Sequence, residues 1–174
     1  MSPIRAWSVF ESHDGAVWIG TEGGVSRIQN GAIKNLTKEE GLTFADVRAF
    51  AEDAAGRLWI GTRNGLNILQ EGRITQQHFP GGWDQTKIRA LCGARDGSMW
   101  VGTVRGLRCL RGDQLIASYS MTNGLAHNEV LSLLEDRAVN LWIGTAGGGL
   151  QRLRDGAFER FATTNGLTSD RTEA

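Results

Sequence analysis

Apolar residues along this chain fall in short runs of strand composition, and turn residues close each run. Residues Val47 to Glu52, Leu58 to Thr62, Leu66 to Leu69 and Ile74 to Phe79 show the pattern and predict four strands, A to D. Turn signals stand where hairpins need them. Asp14-Gly15, Ala55-Gly56 and Asp96-Gly97 lie between A and B, and Asn30-Gly31, Glu71-Gly72 and Asp155-Gly156 between C and D. The fourth unit has Val139-Asn140 in its A/B turn. The set recurs: Trp18-Ile19-Gly20-Thr21, Trp59-Ile60-Gly61-Thr62, Trp100-Val101-Gly102-Thr103 and Trp142-Ile143-Gly144-Thr145 follow at intervals of 41, 41 and 42 residues.

Strand B is apolar on both faces, as in Leu58-Trp59-Ile60-Gly61. A four-stranded sheet with no wet face, repeated about every 41 residues, is a propeller blade whose faces bury against its neighbours. The predicted fold is therefore an all-β β-propeller segment of four tandem blades, at about 6–37, 47–79, 88–120 and 130–162, with 163–174 as a linker into a fifth. Thr172-Glu173-Ala174 align with Val130-Leu131-Ser132 at the opening of strand A, so the chain is read as part of a larger ring. A self-contained four-bladed ring, or a dimer completing a larger one, is the alternative. An open arc would leave apolar faces uncovered at both ends, so an isolated chain is expected to close, pair or aggregate.

Composition adds little to this and excludes some classes. The 174 residues hold 19 basic and 19 acidic side chains, so no net field draws the chain to nucleic acid. The 24 glycines against 2 prolines fit many tight turns. Neither a membrane-spanning segment nor an export signal is legible. Cys92 falls in strand A and Cys109 in strand C of one blade, with strand B between them. That separation of about 9 to 10 Å exceeds disulfide reach, so both thiols are expected free, as small buried hydrophobes.

Leu58-Trp59-Ile60-Gly61-Thr62 followed by Gly65-Leu66, and Asn123-Gly124-Leu125 followed by Asn128-Glu129-Val130 and Leu134-Glu135-Asp136, resemble the two-component regulator propeller repeat. The resemblance implies rings of about seven blades in the periplasmic sensor region of bacterial membrane-bound or hybrid sensor histidine kinases, some responding to oligosaccharides. Gly93-Ala94 departs from it where Glu52-Asp53 and Glu135-Asp136 are acidic, and so does the linker Pro80-Gly81-Gly82-Trp83-Asp84.

With strand A innermost, the B/C loops and the D/A linkers share one face, and the A/B and C/D hairpins share the other. The B/C loops vary within a constant frame: Glu22-Gly23, Arg63-Asn64, Val104-Arg105 and Ala146-Gly147-Gly148. Variable residues on a rigid scaffold are how repeat proteins make sites. The candidate ligand-binding set on that face is Arg63, Asn64, Trp83, Asp84, Arg105, His127 and Asn128. Trp83 would stack on a sugar ring, and Arg63 and Arg105 would offer forked hydrogen bonds to carboxylate or sulfate. Arg48 and Arg89 share a place in strand A, from which they would either line the channel or pair with acids such as Glu52. The extra residue of the 42-residue interval is expected near the third C/D turn.

No cofactor, metal site or catalytic residue is predicted. His13, His78 and His127 have no metal-ligand spacing, and no nucleophile elbow occurs. Arg111-Gly112-Asp113 reads as a C/D turn, Asn35-Leu36-Thr37 as part of strand D, and Gly147-Gly148-Gly149 as a turn. The expected function is a non-catalytic, ligand-binding sensor segment whose partners are a small molecule or oligosaccharide and further blades or a second copy. Neither nucleic acid nor direct membrane contact is expected. An interaction platform, or a propeller enzyme like the streptogramin lyases, is the alternative.

Overall fold

The computed structural model describes residues 5–79 and 82–172, so Pro80-Gly81 of the second linker and Glu173-Ala174 lie outside the described residues. Among the described residues the chain forms sixteen strands in four separate four-stranded antiparallel sheets, in each of which sequence neighbours pair. Each sheet is a propeller blade. Blade 1 comprises β1 (Ala6–Glu11), β2 (Val17–Thr21), β3 (Val25–Gln29) and β4 (Ala32–Leu36). Blade 2 comprises β5 (Val47–Glu52), β6 (Leu58–Thr62), β7 (Gly65–Gln70) and β8 (Arg73–Gln77). Blade 3 has β9 (Ile88–Gly93), β10 (Met99–Thr103), β11 (Gly106–Arg111) and β12 (Gln114–Tyr119). Blade 4 has β13 (Val130–Glu135), β14 (Leu141–Thr145), β15 (Leu150–Arg154) and β16 (Ala157–Phe161), followed by one 3-10 turn at Thr163–Asn165. The chain divides into two compact units, Met1–Ile88 and Arg89–Ala174.

Each part of the Trp-x-Gly-Thr motif has a separate structural task. The Trp indole N–H is held inside its own blade by the side chain six residues earlier. Trp59 donates to Asp53 Oδ2 at 2.8 Å, Trp142 to Asp136 Oδ2 at 2.8 Å, and Trp18 to Ser12 Oγ at 2.8 Å. The same acid shapes the A/B turn: Asp53 Oδ1 accepts from Ala55 N and Arg57 N, both at 3.0 Å. Trp100 has Ala94 at that place and is only half-buried, whereas Trp59 is 1% exposed.

Gly follows because the next blade crosses there. A Cβ on Gly102 would lie 2.7 Å from Val130 Cγ1, and one on Gly20 would lie 2.9 Å from the Val47 carbonyl oxygen. Thr closes the B/C turn. Its hydroxyl donates to a glycine carbonyl, as Thr62 does to Gly65 O at 2.8 Å and Thr103 to Gly106 O at 2.9 Å. It also accepts a backbone N–H two residues on, from Asn64 at 3.1 Å and from Arg105 at 2.9 Å.

Within each unit the apolar core lies between paired blades. In the first unit Trp18, Val25, Leu36, Val47, Phe50 and Ile60 pack together. In the second, Leu107, Leu125, Val130, Leu141, Ile143 and Leu153 do the same. At about 1.5–3 kcal/mol for each fully buried large apolar side chain, these clusters outweigh any single turn contact. Carboxylates at strand A ends add a clamp between blades: His13 N donates to Glu52 Oε2 at 2.7 Å, and Arg95 N to Glu135 Oε1 at 3.2 Å. The acidic pairs thus divide their work, the first residue reaching the preceding blade and the second holding its own Trp.

The C/D turns follow the dipeptides that predict them. Asn30-Gly31, Glu71-Gly72 and Asp155-Gly156 all have positive φ, the geometry of type I′ hairpins. Cys92 and Cys109 are free, on β9 and β11 with β10 between them. Cys109 is buried and Cys92 half-buried, and burial pushes both thiols above their ordinary pKa. The residue that lengthens the third unit lies beyond the C/D turn, inside strand D. Leu110 pairs with Leu115 but Cys109 with Ala117, leaving Ile116 as a bulge.

Thr172 takes the place over Gly144 that Val130 takes over Gly102. Its carbonyl oxygen is 2.5 Å from where a Gly144 Cβ would be, and its N–H donates to Thr145 O at 3.1 Å. On strand A, Val9 of the first unit is 69% exposed and Leu134 of the second 63%.

Candidate functional site

The B/C loops and D/A linkers are joined by repeated backbone contacts. In the first unit Gly65 N donates to Thr86 O at 3.0 Å, and in the second Gly149 N donates to Asp170 O at 2.8 Å. Gly65 is also where a Cβ would sit 2.6 Å from Asp84 O, so its positive φ and bare Cα both serve the close approach. The loop bearing Arg63 and Asn64 is thereby brought against the linker bearing Trp83 and Asp84. Arg63 is exposed, and Asn64, Trp83 and Asp84 are half-buried.

The side chains of this group have unequal freedom. Asp84 accepts from Phe79 N and lies 3.1 Å from His78 Nδ1, and these contacts hold its carboxyl below the ordinary range. Its carboxylate is spent on shaping the linker. In the second unit Asn128 has the same task, accepting from Met121 N at 2.8 Å. His127 accepts the Glu129 N–H at Nδ1 over 3.1 Å and packs beside Gly147 of the fourth B/C loop. Arg105 is exposed. Burial, assisted by the Arg105 charge, lowers the pKa of the buried Arg108 on β11.

Arg48 and Arg89 are committed to ion pairs, with partners other than Glu52. Arg48 binds Asp46 through two hydrogen bonds of 2.5 and 2.7 Å and lies 3.7 Å from the Trp7 ring centre. Arg89 pairs with Glu129.

Two residues of this region carry no obvious mark in the repeat. Buried Asn67 on β7 accepts from Thr43 N and Thr43 Oγ1, and Gln151 on β15 accepts from Ala126 N at 2.7 Å and donates to Gly124 O at 3.0 Å. Each reaches from strand C to the preceding linker. The available signal was a polar residue inside an otherwise apolar strand, because such a group is buried only with a partner. His13, His78 and His127 lie apart in sequence role, in an A/B turn, after β8 and in a linker. Among the described residues no group of three His, Cys, Asp or Glu is placed to hold a metal ion. No helix among them is long and apolar enough to cross a membrane.

Comparison with known proteins agrees with this architecture. No curated protein matches the sequence. The extracellular domain of a protein described as a hybrid two-component system from B. thetaiotaomicron superposes with a TM-score of 0.86 at 22% identity. The match covers 98% of this chain and 25% of that one. The extracellular domain of a one-component system from the same organism gives 0.74 at 22% identity, covering 91% of this chain and 22% of that one. Virginiamycin B lyase from Staphylococcus aureus gives 0.74 at 14% identity, covering 92% and 56%. The chain thus spans about a quarter of the two extracellular domains and about half of the lyase, and at these identities the likeness is one of fold.

The family described as "Two component regulator propeller" matches residues 41–64, 82–105 and 124–147. Each match runs from a D/A linker through strands A and B to the Thr-closed B/C turn, the segment whose side chains are seen above to build the blade. Three segments of the chain thus match the two-component regulator propeller repeat.

Proposed function

We propose that this chain is a non-catalytic, ligand-binding sensor segment of a bacterial two-component signalling protein, working on the periplasmic side. The observation that carries the reading is the match of three successive repeats to the two-component regulator family. Geometry supports its division of labour. The recurring Trp, Gly and Thr are consumed in holding the blade, while the residues that differ between units lie on B/C loops and linkers.

On the loop face of each unit, ligand contact falls to Arg63, Asn64 and Trp83 in the first and, separately, to Arg105 and His127 in the second, with Asp84 and Asn128 fixing the linkers that present them. An aromatic ring beside forked guanidinium donors suits uronic or sulfated oligosaccharides. Further blades or a second copy are the proposed macromolecular partners, since Val9 and Leu134 present apolar surface on strand A.

A thermal-shift screen of the whole chain tests the reading, because a ligand that binds only the folded state raises its melting temperature by mass action. Uronic or sulfated oligosaccharides should raise it, and Trp83→Ala and Arg105→Ala should each reduce the shift. Silence across a broad glycan panel, or a shift indifferent to both substitutions, overturns the proposed site.

A further inference from the structure

The opposite face, formed by the A/B and C/D hairpins, holds a cleft at the seam between the two blades of each unit. The first has a volume of about 420 Å³ and the second about 260 Å³. The larger falls within the range of small-molecule sites, about 300–1,000 Å³. Both clefts are built from the same places in the repeat. Leu58 and Leu69 in the first correspond to Leu141 and Leu153 in the second, Glu52 to Glu135, and Glu71 to Asp155.

On the trailing blade Val139 stands where the first cleft has Gly56 and Arg154 joins the lining, while strands C and D of the leading blade differ in charge and size. The cross-strand pair Arg27 and Lys34 in the first cleft is replaced by Cys109 and Ala117 in the second. Leu36 is replaced by Tyr119, whose ring stacks on Trp100 at 6.4 Å and meets Phe158 edge-on at 5.1 Å. The second cleft is thereby narrowed and loses the two cations on that wall.

Most charges in the first cleft are already satisfied. Arg27 donates to Asp14 Oδ2 at 2.9 Å, and Glu52 accepts from His13 N at 2.7 Å. The side chains of Lys34, on β4, and Glu71, in the second C/D turn, are exposed and make no hydrogen bond or salt bridge among the described residues, although the Lys34 charge helps to lower the pKa of exposed Glu40. They leave one cation and one anion on different blades beside an aliphatic floor of Leu36, Leu58 and Leu69. The indole of Trp18 is only 5% exposed, with the Arg27 guanidinium 5.3 Å from its ring centre, so it offers no open face for sugar stacking.

We infer that the seam cleft of the first unit binds a small zwitterion with an apolar body, an apolar amino acid or dipeptide. Lys34 takes the carboxylate, Glu71 the ammonium, and the leucine floor the side chains. The site is separate from the loop face, so its fate does not depend on the sugar-binding reading.

Isothermal titration of the whole chain with leucyl-leucine is the test. Saturable binding at one site is expected, with the doubly capped N-acetyl amide at least about tenfold weaker, because it carries neither charge. Lys34→Ala and Glu71→Ala should each weaken binding about tenfold, while Trp83→Ala and Arg105→Ala leave it unchanged. Far-UV circular dichroism checks that the variants fold, and Lys34→Met, which keeps the apolar stem, replaces Lys34→Ala if that variant does not. No saturable binding of leucyl-leucine, equal binding of the capped peptide, insensitivity to both charge removals, or a loss on Trp83→Ala would each overturn the inference. So would a neutral sugar whose binding depends on Lys34.

Discussion

Val139 is the residue at which this chain most plainly departs from its own repeat. It has φ 64°, where Gly15, Gly56 and Gly97 stand at 77°, 72° and 82° in the other A/B turns. The same contact forces the conformation in every blade: Val139 N donates to Asp136 O at 3.1 Å, as Gly56 N does to Asp53 O at 2.9 Å. A β-branched residue in the left-handed region is strained by about 1–2 kcal/mol, at the upper end of that range for branching. Replacing it by Gly relieves the strain and costs about 0.5–1 kcal/mol of extra chain entropy. Val139 is 58% exposed, so the buried remainder of its side chain adds a further loss of about 0.6 kcal/mol. The balance predicts that Val139→Gly stabilises the chain by roughly 0.5 kcal/mol.

Val139→Asn should gain more, about 1 kcal/mol, because Asn tolerates this region without the entropy of Gly. Asn30 already occupies it here at φ 51°. For a chain of this size these gains raise the melting temperature by about 1–4 °C, measurable by differential scanning calorimetry. The reciprocal Gly56→Val should lower stability by roughly 0.5 kcal/mol, the same contributions with the opposite sign. A drop in melting temperature for both Val139 variants would refute the reasoning, since the contacts of the valine would then outweigh its backbone strain.

Other consequences follow from the same contacts. Asp53→Ala strands the indole N–H of the fully buried Trp59 and the Arg57 guanidinium, so chemical denaturation should show a loss of about 2–4 kcal/mol. Gly102→Ala places a methyl 2.7 Å from Val130 Cγ1 and should cost about 1–3 kcal/mol in the same assay. Asp14 is held at about 2 against an ordinary 3.8, by the Ser12 hydroxyl first and then the Ala16 N–H and Arg27. Asp96 and Asp136 are also lowered, by Ser98 and by Asn140 and Trp142. Groups lowered by folding stabilise above their unfolded pKa, so the melting temperature should hold above about pH 5 and fall as pH drops from about 4 to 2. A melting temperature unchanged down to pH 2 would remove these carboxylates from the account. Light scattering on the isolated chain should show association through the exposed apolar surface at Val9 and Leu134, and Val9→Glu with Leu134→Glu should reduce it.

The sequence alone determined the blades, because its turn chemistry is local. Asn30-Gly31 and Asp155-Gly156 fold as their dipeptides dictate, and strand B declares itself by being apolar on both faces. It also separated Cys92 from Cys109 by the width of one strand. The repeat could not say which partner each polar residue takes, since certain partners lie some 40 residues away in a neighbouring blade and others within a few residues along the chain. Glu52 turned to the His13 backbone, leaving Arg48 to Asp46, and Asp84 and Asn128 went to the linkers as hydrogen-bond acceptors. It put the extra residue near the third C/D turn but could not say that it forms a bulge at Ile116, which satisfies the ladder as well as a longer turn would. The seam clefts belong wholly to tertiary structure. Their walls come from six strands and three turns of two blades, and their chemistry is decided by whether Arg27 and Lys34, or Cys109 and Ala117, face one another across a sheet.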